Sequence, residues 1–492
     1  MPIIIFYHRR DLRIEDNIAM YKSIQYLQDN NSSRNIIIPV FIFDPKQIVL
    51  TENNKYYYSK KAAYFIIQSV IDLQNQYKEL NSNLLILYSN PIDGIKTIIE
   101  KIKSNYIDEI IVSFNLDYSK YSEYRDSQIL KIKNILFIND DDHSDYCLYV
   151  NSAPYKQFGA YYKQSIKNKP TLPYKISLNN LLITHIKFNK LFNDIKFTKI
   201  NNLITSLNID NLWINAGRDN CINSIINSRS RLKKYNDNKD ILSYETSKLS
   251  AYLNIGTISI RELYYYFSQN LHKNNNIIKQ LYWRDFYLLA LRFIDGGNEY
   301  KHMDDRYNNL KWHNSLVKTS SKYKAMKLYW EHMMDAKTGF LLIDACMTEL
   351  KETGFLHGRG RILLGVFWIK YLLIDPFDLE YGLQSGFSKL LIDAIGPSQN
   401  KLNVQWLTEF DYAGRRYAPK GVAIAGRPIR IDNLQIKKYD KNGIYIKKWL
   451  PHLNILSNKE LYTWNGKENI IHPKPIFNHI TKYNEWIELC GQ

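Results

Sequence analysis

Three hydroxyl side chains stand close together in the middle of the chain. Thr246, Ser247 and Ser250 lie just before and at the start of the segment Ser-Ala-Tyr-Leu, which reads as the beginning of a helix. Free backbone N–H groups at a helix start, with hydroxyls beside them, form an arrangement that holds a phosphate group. The alternative is that these side chains simply cap the helix. The segment therefore predicts either a phosphate cradle or an ordinary N-cap.

A second segment, QLYWRDFY at residues 280–287, combines an amide, an indole and a guanidinium group. Gln280, Trp283 and Arg284 are spaced i, i+3 and i+4, so a helix presents them on one face. An indole in this position is equally typical of an apolar core. The spacing predicts a shared face, and it leaves open whether that face meets a ligand.

A third segment, His357-Gly-Arg-Gly-Arg361, places two arginines two residues apart. Side chains with this spacing cannot point in the same direction on a helix. We therefore expect Arg359 and Arg361 to have different partners.

The charge of the chain favours a polyanionic partner. Its 492 residues contain 66 Lys and Arg against 48 Asp and Glu, a net charge of +18. Such an excess is typical of proteins that bind nucleic acid, although a biased genome also produces lysine-rich surfaces. Nucleic acid is the partner that charge predicts, with compositional bias as the alternative.

The four cysteines predict a reducing compartment and no metal site. They lie far apart, at Cys147, Cys221, Cys346 and Cys490, without the spacing of a zinc or iron–sulfur site. No apolar stretch is long enough to span a membrane, and the apolar N-terminus is interrupted by charged residues from position 8. We expect an intracellular protein of the cytoplasm or nucleus that is neither secreted nor bound to a membrane.

Apolar runs alternate with helix-like segments in the first part of the chain. The runs lie at residues 2–6, 36–43, 84–88 and 110–114, with helical patterns at 58–80 and 94–103. This alternation is typical of a doubly wound parallel sheet. We predict an α/β domain over residues 1–138, a connector over 139–200 and an all-α domain over 201–492, with helical spacing at 258–270, 277–294, 323–334, 343–352, 359–373 and 387–395.

The motifs, taken in order, resemble the photolyase/cryptochrome family over nearly the whole chain. The segments that carry the resemblance are FYHRRDLRIEDNIAM (6–20), YKQFGAYYK (155–163), TSKLSAYL (246–253), QLYWRDFY (280–287), TGFLLIDACMTEL (338–350), TGFLHGRGRI (353–362), LLID (390–393), VQW (404–406) and KKYDKNGIYIKKWLP (437–451). The resemblance implies an α/β N-terminal domain, a larger helical FAD-binding domain and light-dependent DNA chemistry.

A set of flavin-binding residues follows from the resemblance. The diphosphate and ribityl chain of FAD are assigned to Tyr235, Thr246, Ser247, Lys248, Leu249 and Ser250. The flavin ring is assigned to Arg284, to Arg361 paired with Asp393, and to Ile395 and Asn400. The family usually has an aspartate at the position of Ile395, and an ordinary buried ion pair is the alternative for Arg361 with Asp393.

The resemblance also implies residues that bind a pyrimidine dimer in UV-damaged DNA. Trp283 and Trp406 would sandwich the flipped lesion, Gln280 would hydrogen-bond to it, and Arg359 would bind a nearby phosphate. Gln280 replaces the usual glutamate, as in (6-4) photolyases, but Ile362 replaces the second of their two histidines and leaves only His357. We therefore predict a photolyase acting on cyclobutane dimers, with a (6-4) photolyase or a cryptochrome-like photoreceptor as alternatives. The resemblance also implies a monomer.

The residues for electron supply depart from the family pattern, whereas one loop of the N-terminal domain resembles the family's antenna site. Of the usual three tryptophans only the surface one is matched, by Trp312, since Pro376 stands at the middle position and Asn403 or Val404 at the third. Trp368 offers another route. The loop with Asn115, Asp117 and Tyr118, continuing to Arg125 and Asp126, resembles one that binds a folate or deazaflavin antenna.

Overall fold

The computed structural model describes two compact units of the chain. It describes residues 2–30, 36–48, 58–106, 109–141, 144–150, 155, 157–178, 180–193, 204–205, 207–209, 212–293, 302, 310–378, 380–382, 385–394, 430–466 and 471–491. One unit, here the sheet unit, comprises Met1–Tyr155, Gly159–Arg229 and Ser247–Gly297. The other, here the helical unit, comprises Lys156–Phe158, Ser230–Thr246 and Asn298–Gln492.

The sheet unit is built on a parallel sheet of five strands. The strands are β1 Ile3–His8, β2 Ile36–Phe43, β3 Leu85–Tyr88, β4 Ile110–Ser113 and β5 Leu136–Ile138. Their order is β3-β2-β1-β4-β5 and every pair is parallel. β1 lies in the centre, where Ile3 pairs with both Ile36 and Ile110, and its six residues are all buried. The predicted doubly wound sheet is confirmed.

Within the described residues, four helices connect the strands, and side chains define where they begin. The helices are α1 Ile18–Asp29, α2 Lys60–Glu79, α3 Pro91–Asn105 and α4 Lys120–Ile129. The N-cap side chains of Asn17, Ser59, Asn90 and Ser119 each accept a hydrogen bond from a backbone N–H in the first turn. Such caps end the preceding loop at a fixed residue and so set the length of the loops at the carboxyl edge of the sheet.

The first two of the remaining helices lie in the segment predicted as a connector. They are α5 Phe158–Ser165, α6 His185–Leu191, α7 Arg218–Leu232, α8 Tyr235–Asn238, α9 Ser250–Ile255, α10 Ile260–Asn270, α11 Asn276–Phe293, α12 Ser321–Met334, α13 Leu341–Thr353, α14 Gly358–Val366, α15 Ile436–Tyr439, α16 Ile444–Trp449, α17 Asn458–Tyr462 and α18 His479–Gly491. The described part of residues 139–200 thus contains two short helices besides turns. Every regular element described beyond residue 200 is helical, as predicted.

Within the sheet unit, a buried ionic joint fixes α10 to the loop that follows β1. Asp16 accepts hydrogen bonds from the Arg261 guanidinium at 3.0–3.1 Å and also from the Ser259 hydroxyl. Arg13 from the same loop donates to Asp145 at 2.6 Å. Asp16 and Arg261 are almost fully buried, with 1% and 2% of their side chains exposed. The joint therefore fixes the start of the segment that carries α10 and α11.

Each unit has its own apolar core. In the sheet unit, Ile5, Val40 and Val112 from neighbouring strands pack with Ile95 and Ile98 of α3. In the helical unit, the apolar faces of α13 and α14 pack around Trp368 and Trp486, which are both fully buried. All four cysteines are free and buried. Among the described residues, no helix combines the length and the apolar content that a membrane crossing requires.

Candidate functional site

The start of α9 in the sheet unit is not capped by any side chain. Its N-cap residue is Leu249, whose buried side chain cannot accept a hydrogen bond. In the described part of the chain, the hydroxyls of Ser247 and Ser250 make no hydrogen bond, and neither does that of Thr246. The N-capping alternative is therefore not what these hydroxyls do. Uncapped N–H groups with unengaged hydroxyls beside them fit the diphosphate of a dinucleotide.

The residue that precedes the N-cap of this helix adopts an unusual backbone conformation. Lys248 has φ +56°, in the left-handed region that is uncommon for residues other than glycine. Its ammonium group lies 3.8 Å from the centroid of the Trp213 ring, a cation–π contact that holds the side chain in the sheet unit. The turn thus directs the side chain of Lys248 toward Trp213 and the next residues into the helix.

Gln280 and Trp283 share one face of α11, as their spacing predicts. Both side chains are half-buried. The indole of Trp283 stacks on the ring of Tyr287, with centroids 5.6 Å apart and planes inclined by 20°, and meets Phe286 edge to face. Within the described residues, the amide of Gln280 makes no hydrogen bond. The packed indole can stack on a flat ligand. The amide beside it can donate hydrogen bonds to the edge of that ligand and accept them from it.

Arg284 is held by groups of the sheet unit. Its Nη1 donates to the carbonyl oxygen of Tyr146 at 2.5 Å and to Asp285 at 3.2 Å. Asp285 is fully buried and also accepts a hydrogen bond from the backbone N–H of Leu148 at 2.6 Å. Burial raises the pKa of Asp285 to about 7, although Arg284 and the hydrogen bond from Leu148 favour the charged form. The positive charge of Arg284 is therefore fixed in place beside a carboxyl group that titrates near neutrality.

In the helical unit, His357 caps α14 and is neutral. Its Nδ1 accepts a hydrogen bond from the backbone N–H of Arg359 at 3.0 Å, which places the ring proton on Nε2. Burial, with the positive charges of Arg359 and Arg361 adding to it, lowers the pKa of His357 to about 4. Its Nε2 is buried and has no partner among the described residues. Its Nε2–H is therefore a buried donor that no described group engages.

The two arginines of α14 take different partners, as their spacing predicts. Arg361 is buried and forms a two-pronged pair with Asp393, at 3.1 Å from Nη1 to Oδ1 and 2.8 Å from Nη2 to Oδ2. Its Nε donates to the carbonyl oxygen of Leu356 at 2.9 Å. Arg359 instead extends to Asp240 and lies over the ring of Tyr439. A buried guanidinium with an acceptor at each of its three nitrogens thus stands next to a more exposed one.

Asp240 is a residue that the sequence reasoning missed. It lies 119 residues from Arg359 along the chain, and no spacing rule connects the two. Its position five residues after Tyr235 and directly after Lys239 was the available signal. Tyr235 itself is the first residue of α8, where burial raises its pKa to about 12.

The two tryptophans proposed for electron transfer are both buried. Trp312 was matched to a surface position, but only 2% of it is exposed because it packs between His302 and Trp486, with ring centroids 6.1 Å from each. Trp368 is fully buried in a π-helical turn, Phe367–Tyr371, and its Nε1 donates to the carbonyl oxygen of Tyr381 at 3.1 Å. The structure thus places Trp312 in the interior rather than at the surface, and electron transfer through Trp312 or Trp368 stays a prediction.

The loop assigned to an antenna lies at the carboxyl edge of the sheet. Asn115 donates to Asp11 at 2.7 Å, and Asp117 accepts a hydrogen bond from Ser122 at 2.9 Å. Arg9 and Arg125 both donate to one oxygen of Asp126. Each of these polar groups is buried, and Tyr118 packs with them. The predicted residues are thus brought together at one edge, and antenna binding there stays a prediction.

Three predicted site residues fall outside the described part of the chain: Ile395, Asn400 and Trp406. The predicted helix at 387–395 is described as a short 3-10 turn, Phe387–Leu390. Asp393 follows that turn and lies within the described residues. The pair that it forms with Arg361 therefore does not depend on the placement of Ile395, Asn400 or Trp406.

Two family models match this chain. One, described as DNA photolyase, matches residues 4–171. The other, described as the FAD binding domain of DNA photolyase, matches residues 277–491. The second model confirms FAD as the cofactor that the motifs predict, and its range includes α11 and α14.

Relatives of two kinds align along nearly the whole chain. A deoxyribodipyrimidine photo-lyase of Buchnera aphidicola subsp. Baizongia pistaciae is 28% identical, over 97% of this chain and 96% of its own. Cryptochrome-2 of Arabidopsis thaliana is 25% identical, over 95% of this chain and 73% of its own. The crystal structure of an archaeal photolyase from Sulfolobus tokodaii with two FAD molecules superposes with a TM-score of 0.77 at 25% identity, over 99% of both chains. With the shared fold and the matches to both photolyase domains, these relatives show that the chain belongs to the photolyase/cryptochrome family.

Proposed function

We propose that this protein is a light-dependent DNA repair enzyme that splits pyrimidine dimers, with cyclobutane dimers as the preferred lesion. The observation that carries this proposal is the face of α11. There Trp283 is fixed by stacking on Tyr287, and the amide of Gln280 beside it makes no hydrogen bond within the described residues. A flipped base gains about 1–3 kcal/mol by stacking on an aromatic ring, which offsets the cost of unstacking it from the duplex.

The described residues to which we give a role lie in environments that suit it. Gln280 would donate to and accept from the base edge, and Trp283 would stack on the base. Arg359 would bind a phosphate near the lesion, with Trp406 as the second stacking residue. Uncapped N–H groups at α9, with Ser247, would hold the diphosphate of FAD. When bound, reduced FAD supplies the light-driven electron transfer.

The neutral state of His357 supports cyclobutane dimers as the preferred lesion. The (6-4) photolyases carry two histidines around this motif, whereas this chain has Ile362 at the second position. A histidine with a pKa of about 4 carries almost no proton to donate at neutral pH. Splitting a cyclobutane ring by electron transfer and return requires no net proton transfer. His357 would then serve as a fixed N–H donor through Nε2.

For the antenna, we propose a folate or deazaflavin at the sheet edge, beside Arg9 and Arg125.

The test is blue-light repair of two oligonucleotides by protein whose FAD has been chemically reduced beforehand. One oligonucleotide carries a cyclobutane dimer and the other a (6-4) photoproduct. Restoration of the first alone is the expected result, while restoration of the second alone would favour a (6-4) photolyase. If the protein binds FAD and restores neither, the photoreceptor alternative takes the place of repair. Pre-reduction removes dependence on Trp312 and Trp368, so the assay isolates the repair step.

A further inference from the structure

The guanidinium group of Arg359 is engaged along one edge only. Its Nε donates to Oδ1 of Asp240 at 3.2 Å, and its Nη2 donates to the same oxygen. In the part of the chain that the structure describes, Nη1 makes no hydrogen bond. The side chain is 18% exposed. N–H donors on the second edge of the guanidinium are therefore available to an acceptor outside the chain.

Asp240 is itself fixed in the helical unit. Its second oxygen, Oδ2, is 3.0 Å from the ammonium group of Lys239. The backbone N–H of Leu242 donates to the carbonyl oxygen of Tyr439 at 2.9 Å, which ties this segment to α15. The ring of Tyr439 also lies beneath the Arg359 guanidinium, 5.1 Å from its central carbon. One carboxylate and one aromatic ring thus hold the guanidinium in a single orientation.

The charges of this group sum to one positive charge. Arg359 and Lys239 share the single carboxylate of Asp240. Burial acts to raise the pKa of Asp240, but hydrogen bonds from Arg359 and Lys239 outweigh it and lower the pKa. The carboxylate is therefore charged at neutral pH, and the group as a whole attracts an anion rather than repelling it.

We infer that Asp240 is a positioning residue, which holds one edge of the Arg359 guanidinium so that the other edge meets a DNA phosphate. The inference rests on the function proposed above, in which Arg359 binds a phosphate near the lesion. A long arginine side chain loses rotamer freedom when it binds, and a fixed carboxylate removes that cost before DNA arrives. The planar guanidinium is suited to this because it has two separate edges of N–H donors.

Charge alone predicts the opposite effect for the same residue. A carboxylate near a DNA-binding arginine repels phosphate, and one that competes for the guanidinium would inhibit binding. In either case removal of the negative charge tightens binding to DNA. If Asp240 positions Arg359, removal of the charge weakens binding instead. The sign of the effect therefore distinguishes the two roles.

The experiment uses the full-length, FAD-loaded protein with Asp240→Asn. The dissociation constants for a duplex with a cyclobutane dimer and for the undamaged duplex are measured in the dark by fluorescence anisotropy, from about 50 to about 200 mM KCl. We expect about fivefold to tenfold weaker binding, a loss of the size expected for one ordinary hydrogen bond, because Asp240→Asn removes the alignment of Arg359 and leaves its charge in place. We also expect a salt slope shallower by about 0.9, which corresponds to one phosphate contact.

The matched control is Asp237→Asn, which changes the same charge on an exposed residue of α8. It should leave binding unchanged or slightly tighter. In an Arg359→Gln background, Asp240→Asn should cause no further loss, because its effect acts through Arg359. Asp240→Glu, which keeps the charge, should recover most of the affinity and covers the case in which the asparagine variant folds poorly.

Unchanged or tighter DNA binding by Asp240→Asn, with flavin absorbance and circular dichroism intact, would overturn the inference. The proposed function fails separately, if the wild-type protein neither prefers nor repairs the dimer. In that case the salt slope on undamaged duplex still tests Asp240, because it reports a phosphate contact whether or not a lesion is present.

Discussion

The buried, neutral His357 makes the stability of the protein depend on pH in a defined window. Its pKa is about 4 in the folded chain, whereas the ordinary value of 6.5 applies in the unfolded chain. The unfolded state therefore binds more protons between these two values, and the free energy of unfolding falls as the pH drops through this window. Above about pH 7 both states are neutral and the effect disappears. His357 destabilises the protein only in acid.

The size of the effect follows from the two pKa values. The full difference corresponds to about 3 kcal/mol, at 1.36 kcal/mol for each pKa unit. Between pH 7.5 and pH 5 the linkage relation gives a loss of about 2 kcal/mol from this residue alone. His313, whose pKa burial also lowers to about 4, adds to the loss in the wild-type protein. The contribution of His357 must therefore be measured as a difference between variants.

The informative substitution is His357→Asn. Asparagine keeps an acceptor for the backbone N–H of Arg359 and is a favoured N-cap residue, so α14 retains its cap while the titrating group is removed. We expect the variant to lose about 2 kcal/mol less than the wild type between pH 7.5 and pH 5. Urea unfolding of the FAD-loaded protein, followed by circular dichroism at constant ionic strength, provides the measurement.

The control is His185→Asn, which replaces an exposed histidine of α6 and should leave the pH dependence unchanged. If His357→Asn loses as much stability as the wild type on acidification, then His357 is protonated in the folded chain near its ordinary pKa. That result would refute both its buried neutral state and its assignment as a fixed N–H donor.

Three further predictions concern the ionic pairs and the stacking residue. Arg361→Leu leaves Asp393 buried without its partner and should cost about 3–5 kcal/mol in urea unfolding, whereas replacing both residues by apolar ones should restore part of the loss. Asp16→Asn should cost about 3 kcal/mol by the same measurement. Asparagine tolerates the φ of +47° at that position, so the loss reports the pair with Arg261 rather than strain, and an unchanged midpoint would contradict the assigned joint. Trp283→Ala should weaken binding to a dimer-containing duplex about tenfold or more while Trp283→Phe keeps most of it, and equal losses on undamaged duplex would remove the stacking role.

The sequence predicts the buried strands well because their signal is local. The run at 36–43 matches β2 at both ends, and 110–114 matches β4 to within one residue. A strand buried on both faces must be apolar throughout, which a short window reveals. β5 was missed because it is a three-residue edge strand that is not buried, and its Leu136 is 48% exposed. Such a strand lacks the pattern of burial.

Helix boundaries inside the helical unit were less predictable. The single helix expected at 359–373 is divided into α14 and the π-helical turn Phe367–Tyr371, and Leu373 then takes a φ of +56°. No glycine or proline lies between residues 366 and 373 to mark this change. Tertiary packing around Trp368, rather than local preference, determines where the helix ends.

The two arginines of α14 show where sequence reasoning about a site stops. Helical geometry alone requires them to diverge, and the structure gives each its own carboxylate. Spacing could not identify Asp240, because an ion pair between residues 119 positions apart leaves no periodic trace. The difference in exposure between the two pairs follows only from the fold. It is also what separates their roles, since the buried guanidinium of Arg361 holds Asp393 in place, whereas a guanidinium with an exposed edge can bind a phosphate.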